Sequence, residues 1–172
     1  PRDALMLNVT ARQDLMRTIV ETLGVVVEEA RLDFFEDALR VRVVDPSHVA
    51  MIKMDVDSAA FDTWEIDETK LGLEMKKLKD MLTLATAGDM VELAYDDSSG
   101  QATVNLGRID LNLRPLDPST LNPPNVPSLE LPCGVTMNGS DLAQALRAAR
   151  QVGDLVNMSL DEKSFSVNVQ GS

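Results

Sequence analysis

The sequence predicts an α+β chain, strand-rich and punctuated by short amphipathic helices, and three observations carry that expectation. Residues 38–44, 101–106 and 108–114 alternate apolar with polar, as half-buried strands do; in the last run Ile109, Leu111 and Leu113 share one face. Leu15, Met16, Ile19, Val20 and Leu23 recur at helical spacing, and so do Leu78, Met81, Leu82 and Ala85. The chain also repeats itself: at a constant offset of 126, Leu32, Phe34, Leu39, Val41 and Val43 fall on Met158, Leu160, Phe165, Val167 and Val169.

The elements follow in order. Leu5, Leu7 and Val9 give a strand that runs straight into a helix over residues 11–23. A hairpin follows, with Glu36 and Asp37 at its turn. Leu71, Leu73 and Met75 open a second strand-into-helix passage, with the helix over residues 76–85. Asp96-Asp97-Ser98-Ser99-Gly100 is a hairpin turn, because Asp and Ser favour turns and Gly accepts positive φ. Gly72, Gly88 and Gly107 read as isolated punctuation. The unit is therefore strand, helix, then three strands, twice before residue 115. It starts again with a strand at Val135 and Met137, a helix over residues 140–152, and a hairpin turning at Asp161-Glu162-Lys163. One unit alone leaves a sheet face bare, so two must pack around shared helices.

Between the copies the chain changes character. Six of the eight prolines (Pro115, Pro118, Pro123, Pro124, Pro127, Pro132) fall in one stretch, which cannot be a central strand or a helix. The expected organisation is a complete first domain over residues 1–114, a semi-rigid connector over 115–129, and the start of a second domain over 130–172. The second copy stops about a third of the way through, so it is expected to be poorly covered. Two readings of the connector's Leu116, Leu121, Val126 and Leu129 stand side by side. They pin the connector to its own domain, or they help form an exposed groove for a partner peptide.

Composition narrows the function. A hydrophobic content of 44% supports a folded core, no apolar run reaches membrane-spanning length, and the opening residues lack a signal-peptide pattern. With a single cysteine, Cys133, and a single histidine, His48, neither an intrachain disulfide nor a His-containing triad nor a zinc cluster is available, so a reducing compartment is expected. No glycine-rich phosphate loop is present, and no cofactor or metal is expected. Asp55 with Asp57, and Asp96 with Asp97, are solvated acidic faces, or pairs that hold a cation or act in the acid–base chemistry of a hydrolase. Aromatic content of 3% leaves few platforms for stacking bases. The net charge of −12 is unevenly spread: the predicted helices carry +3 and the remainder −15. That partition fits a basic helical face on an acidic body, and it also fits the plain helix propensity of Lys and Arg.

The segment Val44-Asp45-Pro46-Ser47-His48-Val49-Ala50-Met51 is a turn between two strands that carries the lone histidine. It reads as an ordinary surface loop or as part of a binding surface. Its Asp45-Pro46-Ser47-His48-Val49 core resembles the corresponding loop of the proliferating cell nuclear antigen family, the DNA sliding clamps of archaea and eukaryotes. Leu78-x-x-Met81-Leu82 followed by Gly88-Asp89 is similar to that family's second helix, and Cys133-Gly-Val-x-Met137, Arg147 and Val152-Gly153-Asp154 to the opening of its second domain. The proline-bearing loop and connector look archaeal.

The resemblance implies a DNA clamp fold, with helices on the inner face and antiparallel sheets outside, and three subunits closing a ring around duplex DNA. It implies no catalysis: a processivity factor for DNA polymerase that docks polymerase, clamp loader, nuclease and ligase through short peptide motifs. By position, Arg12, Arg17, Lys76, Lys77, Lys79, Arg147 and Arg150 would face DNA phosphates without base readout. Val44, His48, Val49, Met51, Val126 and Pro127 would belong to the partner-peptide groove. The edge strand Arg108, Ile109, Asp110, Leu111, Asn112, Leu113 and Arg114 would pair with a neighbouring subunit, and a chain ending at residue 172 would lack the acceptor strand. The implied location is cytoplasmic and nucleoid-associated in an archaeon, nuclear in a eukaryote. A checkpoint-type clamp subunit and an acidic interaction module without DNA contact are the alternatives.

Overall fold

The computed structural model describes residues 6–171, so Leu5 and Ser172 lie outside the described residues. The chain divides into two compact units, residues 1–126 and 127–172.

In the first unit, β1 (Met6–Arg12) leads into α1 (Gln13–Gly24), followed by β2 (Glu29–Phe34), β3 (Ala38–Val44), β4 (Met51–Asp57) and β5 (Thr63–Ile66). A second passage runs β6 (Thr69–Glu74), α2 (Met75–Leu82), β7 (Met90–Asp96), β8 (Gln101–Leu106) and β9 (Ile109–Leu113). The strands form two antiparallel sheets, ordered β5-β1-β7-β8-β9 and β4-β3-β2-β6. The two passages exchange their opening strands. β1 pairs with β7 of the second passage, and β6 pairs with β2 of the first. Neither passage can therefore complete a sheet on its own.

Alternation dictates the core. Leu7, Val9 and Ala11 of β1 point inward at 1% exposure or less, and Leu39, Val41 and Val43 of β3 are buried on the matching alternation. These side chains meet Ile19, Val20 and Leu23 of α1 and Leu78 and Leu82 of α2 in one cluster, so both helices and both sheets share a core. Each fully buried Leu or Val there contributes roughly 1.5–3 kcal/mol. Gln13, buried at the start of α1, donates through Nε2 to the Leu82 carbonyl at 2.9 Å and ties the two helices together.

Several expectations need correction. Arg12 is the last residue of β1, paired with Met90, and α1 starts one residue later. Pairing with β7 holds Ala11 and Arg12 extended despite their helix propensity. The helix expected over residues 76–85 ends at Leu82, whose following residues turn so that Asp89 accepts from the Thr86 amide at 3.0 Å. The first passage has four strands after its helix, not three. The extra one, β5, is held by Trp64, which packs on Phe61 and Phe34 at centroid distances of 4.7 and 5.8 Å and donates Nε1 to the Phe35 and Glu36 carbonyls. Gly72 is not punctuation. It lies inside β6, where Leu116 bridges to it and donates its amide to the Gly72 carbonyl at 2.8 Å. A Cβ at Gly72 would stand 2.9 Å from the Leu116 carbonyl oxygen and 3.0 Å from Leu121 Cδ1. Leu116 and Leu121 thus seat the start of the connector on the first unit, and Pro118–Thr120 forms a short 3₁₀ turn between them.

The second unit holds α3 (Gly139–Arg150) and a hairpin of β10 (Val156–Leu160) and β11 (Phe165–Val169). No strand forms at Val135 and Met137; residues 131–138 carry no regular secondary structure. The sequence repeat is real in the structure. At an offset of 126, α1 maps end to end on α3, and the closing pair Phe34–Leu39 of the first hairpin maps on Leu160–Phe165 of the last.

Candidate nucleic-acid and partner interfaces

On α1 and α2 the faces opposite the core carry the charge. Lys76, Lys77 and Lys79 are exposed beside buried Met75, Leu78 and Leu82, and Arg17 is exposed beside buried Ile19 and Val20. Several of these cations are already engaged. Arg17 Nε lies 2.8 Å from Glu21, Lys77 3.2 Å from Glu74, and Arg12 2.9 Å from Asp14. The Arg17 bond holds the Glu21 carboxyl below its ordinary range. Lys76 and Lys79 have no carboxylate within ion-pairing distance among the described residues, and they line one hollow of about 310 Å³ with Glu21 and Gly24. With Arg12 on a strand, the observed helices carry six basic and four acidic residues, a net of +2 where +3 was expected. In the second unit Arg147 and Arg150 are exposed near the end of α3.

The loop after β3 is built around Asp45. Its carboxylate accepts the Ala50 amide at 2.6 Å, the Val49 amide at 2.7 Å and the Ser47 amide at 3.1 Å, together with the Ser47 hydroxyl. These donors, the Ala50 amide foremost, hold its pKa down to about 2. The turn brings His48 to φ 59°, in the left-handed region, and leaves Val49 85% exposed. Sequence reasoning placed Asp45, His48 and Val49 in one turn but gave no role to the Asp45 carboxylate that shapes it. Asp89, Asp117 and Asp161 act likewise, each accepting a nearby backbone amide that lowers its carboxyl. Part of the chain's acidity is therefore turn architecture.

Val44 and Met51 are cross-strand partners at the ends of β3 and β4, so the structure brings Val44, His48, Val49 and Met51 together on one turn. The connector meets this region through Thr120, Leu121, Asn122 and Pro124, which line a cavity of about 210 Å³ with Val43 and Val44. Val126 is 40% exposed farther along, and Pro127 falls in the second unit. Of the connector's apolar residues offered from sequence, Leu121 is thus the one that shares a hollow with the strand, joined by Thr120, Asn122 and Pro124.

Among the described residues β9 is the edge of its sheet, bonded to β8 alone, with Arg108 and Arg114 flanking it. Leu113 is buried, Leu111 half-buried and Ile109 41% exposed, while Asp110 accepts from Asn105 Nδ2 at 2.5 Å. Of the carboxylate pairs, Asp55 lies 3.7 Å from Arg40 Nε, and Asp97 accepts from the Tyr95 hydroxyl at 3.3 Å. No helix among the described residues is long and apolar enough to cross a membrane.

The family model for the N-terminal domain of proliferating cell nuclear antigen matches residues 6–108. The DNA polymerase sliding clamp of Methanococcoides burtonii is 34% identical over 167 residues, covering 96% of this chain and 68% of the relative, and that of Archaeoglobus fulgidus is 32% identical with the same coverage. Among solved structures, A. fulgidus proliferating cell nuclear antigen bound to the C-terminal region of FEN-1 superposes with a TM-score of 0.90 at 30% identity, covering 96% of this chain and 68% of that one. The Entamoeba histolytica homologue shares the fold at a TM-score of 0.78 and 15% identity, covering 96% of this chain and 70% of its own. With strand exchange, shared helices and antiparallel sheets all in place, the chain belongs to the proliferating cell nuclear antigen family of DNA polymerase sliding clamps.

Proposed function

We propose that this chain works as part of a ring that encircles duplex DNA and tethers replication and repair enzymes to it, without catalysis of its own. Its family is one of non-enzymatic processivity factors. The observation that carries the DNA part is the exposed Lys76 and Lys79, which have no carboxylate within ion-pairing distance among the described residues of a chain of net charge −12. An unpaired cation on an acidic body gains most where a polyanion passes. Arg12, Arg17, Lys77, Arg147 and Arg150 join them, with phosphates competing for the pairs that Asp14, Glu21 and Glu74 now make. On this reading residues 1–114 form the complete clamp domain, 115–129 the connector and 130–172 the start of the second domain.

Partner peptides dock on Val44, His48, Val49 and Met51, and the same reading assigns Val126 and Pro127 to partner binding. A nuclease is the partner best supported, because the A. fulgidus relative binds the C-terminal region of FEN-1. Polymerase, clamp loader and ligase would use the same surface. Arg108–Arg114 would join subunits of a trimer through the free edge of β9, and the setting would be an archaeal nucleoid.

Lys76, Lys77 and Lys79 changed together to Ala should weaken association with unrelated duplexes alike. The log–log salt slope should become shallower by about 0.9 for each phosphate that is no longer neutralised. Fluorescence anisotropy against salt reads this, and a weakening confined to one DNA sequence would overturn it.

A further inference from the structure

The outer face of the β4-β3-β2-β6 sheet holds a positive pair to which the reading above gives no role. Val44 faces Met51 across the strands, and Arg42 faces Lys53. Residues two apart on a strand share a face, so Arg42 and Lys53 stand beside Val44 and Met51, about 7 Å farther along. Like charges directly opposite one another destabilise a sheet. The next pair on this face avoids the problem: Arg40 faces Asp55 at 3.7 Å and also reaches Asp37 at 3.0 Å. Arg42 and Lys53 are both exposed, and no described carboxylate lies within ion-pairing distance of either, although acidic residues outnumber basic ones 28 to 16. Arg42 also lines the cavity of about 210 Å³ that holds Thr120 and Asn122 of the connector. Its basic neighbour there, Arg31, is already satisfied by both oxygens of Asp33, at 2.9 and 3.0 Å. Glu29, on the same lining, pairs with neither cation.

We infer that Arg42 and Lys53 form an anion subsite for a Glu or Asp side chain of a docked partner peptide, one strand step from the apolar anchor on Val44 and Met51. This rests on the docking reading above. A guanidinium offers a carboxylate two parallel N–H bonds, and the facing ammonium adds charge. The occupant is a single carboxylate and not a nucleic acid. Asp55 and Asp57 follow Lys53 on the same face of β4, and Asp37 lies in the turn before β3, so a polyanion running along the sheet would be repelled, whereas one carboxylate meets only the two cations.

The test titrates the 172-residue chain, by calorimetry, with synthetic peptides of the A. fulgidus FEN-1 C-terminal region in which each residue in turn is Glu or Gln. At one position near the apolar anchor Glu should bind about tenfold more tightly than Gln, and the gap should shrink with salt. In the Arg42→Gln, Lys53→Gln double variant the preference should vanish while the Gln peptide binds as before. Peptides that bind with Glu and Gln equal at every position would overturn the subsite and leave the groove standing. No binding by any peptide to the folded chain would overturn the groove and the subsite together.

Discussion

Replacing Gly72 by Ala should lift the connector off the first unit. Gly72 has no positive-φ requirement, so its role is space. A methyl there would meet the Leu116 carbonyl oxygen at 2.9 Å, Leu121 Cδ1 at 3.0 Å and Leu116 Cβ at 3.2 Å. Leu121 can rotate away, but the Leu116 backbone cannot, because its amide donates to the Gly72 carbonyl at 2.8 Å. Overpacking of this kind costs about 1–3 kcal/mol, and a weakened hydrogen bond about 1 kcal/mol more. Ala regains about 0.4–1 kcal/mol by restricting the unfolded chain. The net expectation is a destabilisation of about 1–3 kcal/mol. Urea unfolding gives the global value, and amide exchange at Leu116 separates local release from global destabilisation. Unchanged stability with full protection of the Leu116 amide would show that the methyl is accommodated and the close approach carries no energy.

Asp45 makes the partner loop acid-sensitive. Its folded pKa of about 2 lies below the ordinary 3.8, so its stabilisation of the loop is complete above about pH 4 and is lost as pH falls through about 2. The Val49 and Ala50 amide resonances should move together over that window and stay fixed above it. Asp45→Ala should remove the transition and loosen peptide binding at neutral pH, because four donors lose one acceptor. Met51→Asp should leave folding intact, since the side chain is 39% exposed, yet reduce partner-peptide affinity by desolvating a charge under an apolar anchor, a cost of about 1–3 kcal/mol. Calorimetry with the FEN-1 C-terminal peptide checks both affinities.

What could be read from the sequence was local. The stripes of α1 and α2, the alternation of β3, β8 and β9, and the turn at residues 96–100, with Gly100 at φ 66°, follow from neighbouring residues alone. The repeat was legible because both copies keep the same hairpin register. What escaped depends on distant partners. β5 exists because Trp64 finds carbonyls 28 and 29 residues earlier, and Arg12 stays extended because Met90 pairs with it. Gly72 gives no sign in sequence that another backbone approaches it. The candidate site divided the same way. Lys76, Lys77 and Lys79 belong to a net-positive helical set and were assigned to DNA by position in the family resemblance, whereas Asp45 resembles any other acidic turn residue until its four donors are seen.

The exchange of opening strands has a consequence for synthesis. β1 lies between β5 and β7, with Leu7 opposite Ile66 on one side and Met6 opposite Asp96 on the other. A ribosome adding about 5–20 residues per second brings out the nearer partner roughly 3–12 seconds after β1, and the farther one later still. During that interval Leu7, Val9 and Ala11, buried to 1% exposure or less in the finished fold, have no strand to pair with on either side. The nascent chain therefore carries an unshielded apolar segment through much of its translation. Shielding by a holdase chaperone, or a slow codon stretch placed after β7, would act on this stage alone and leave the folded chain's stability unchanged.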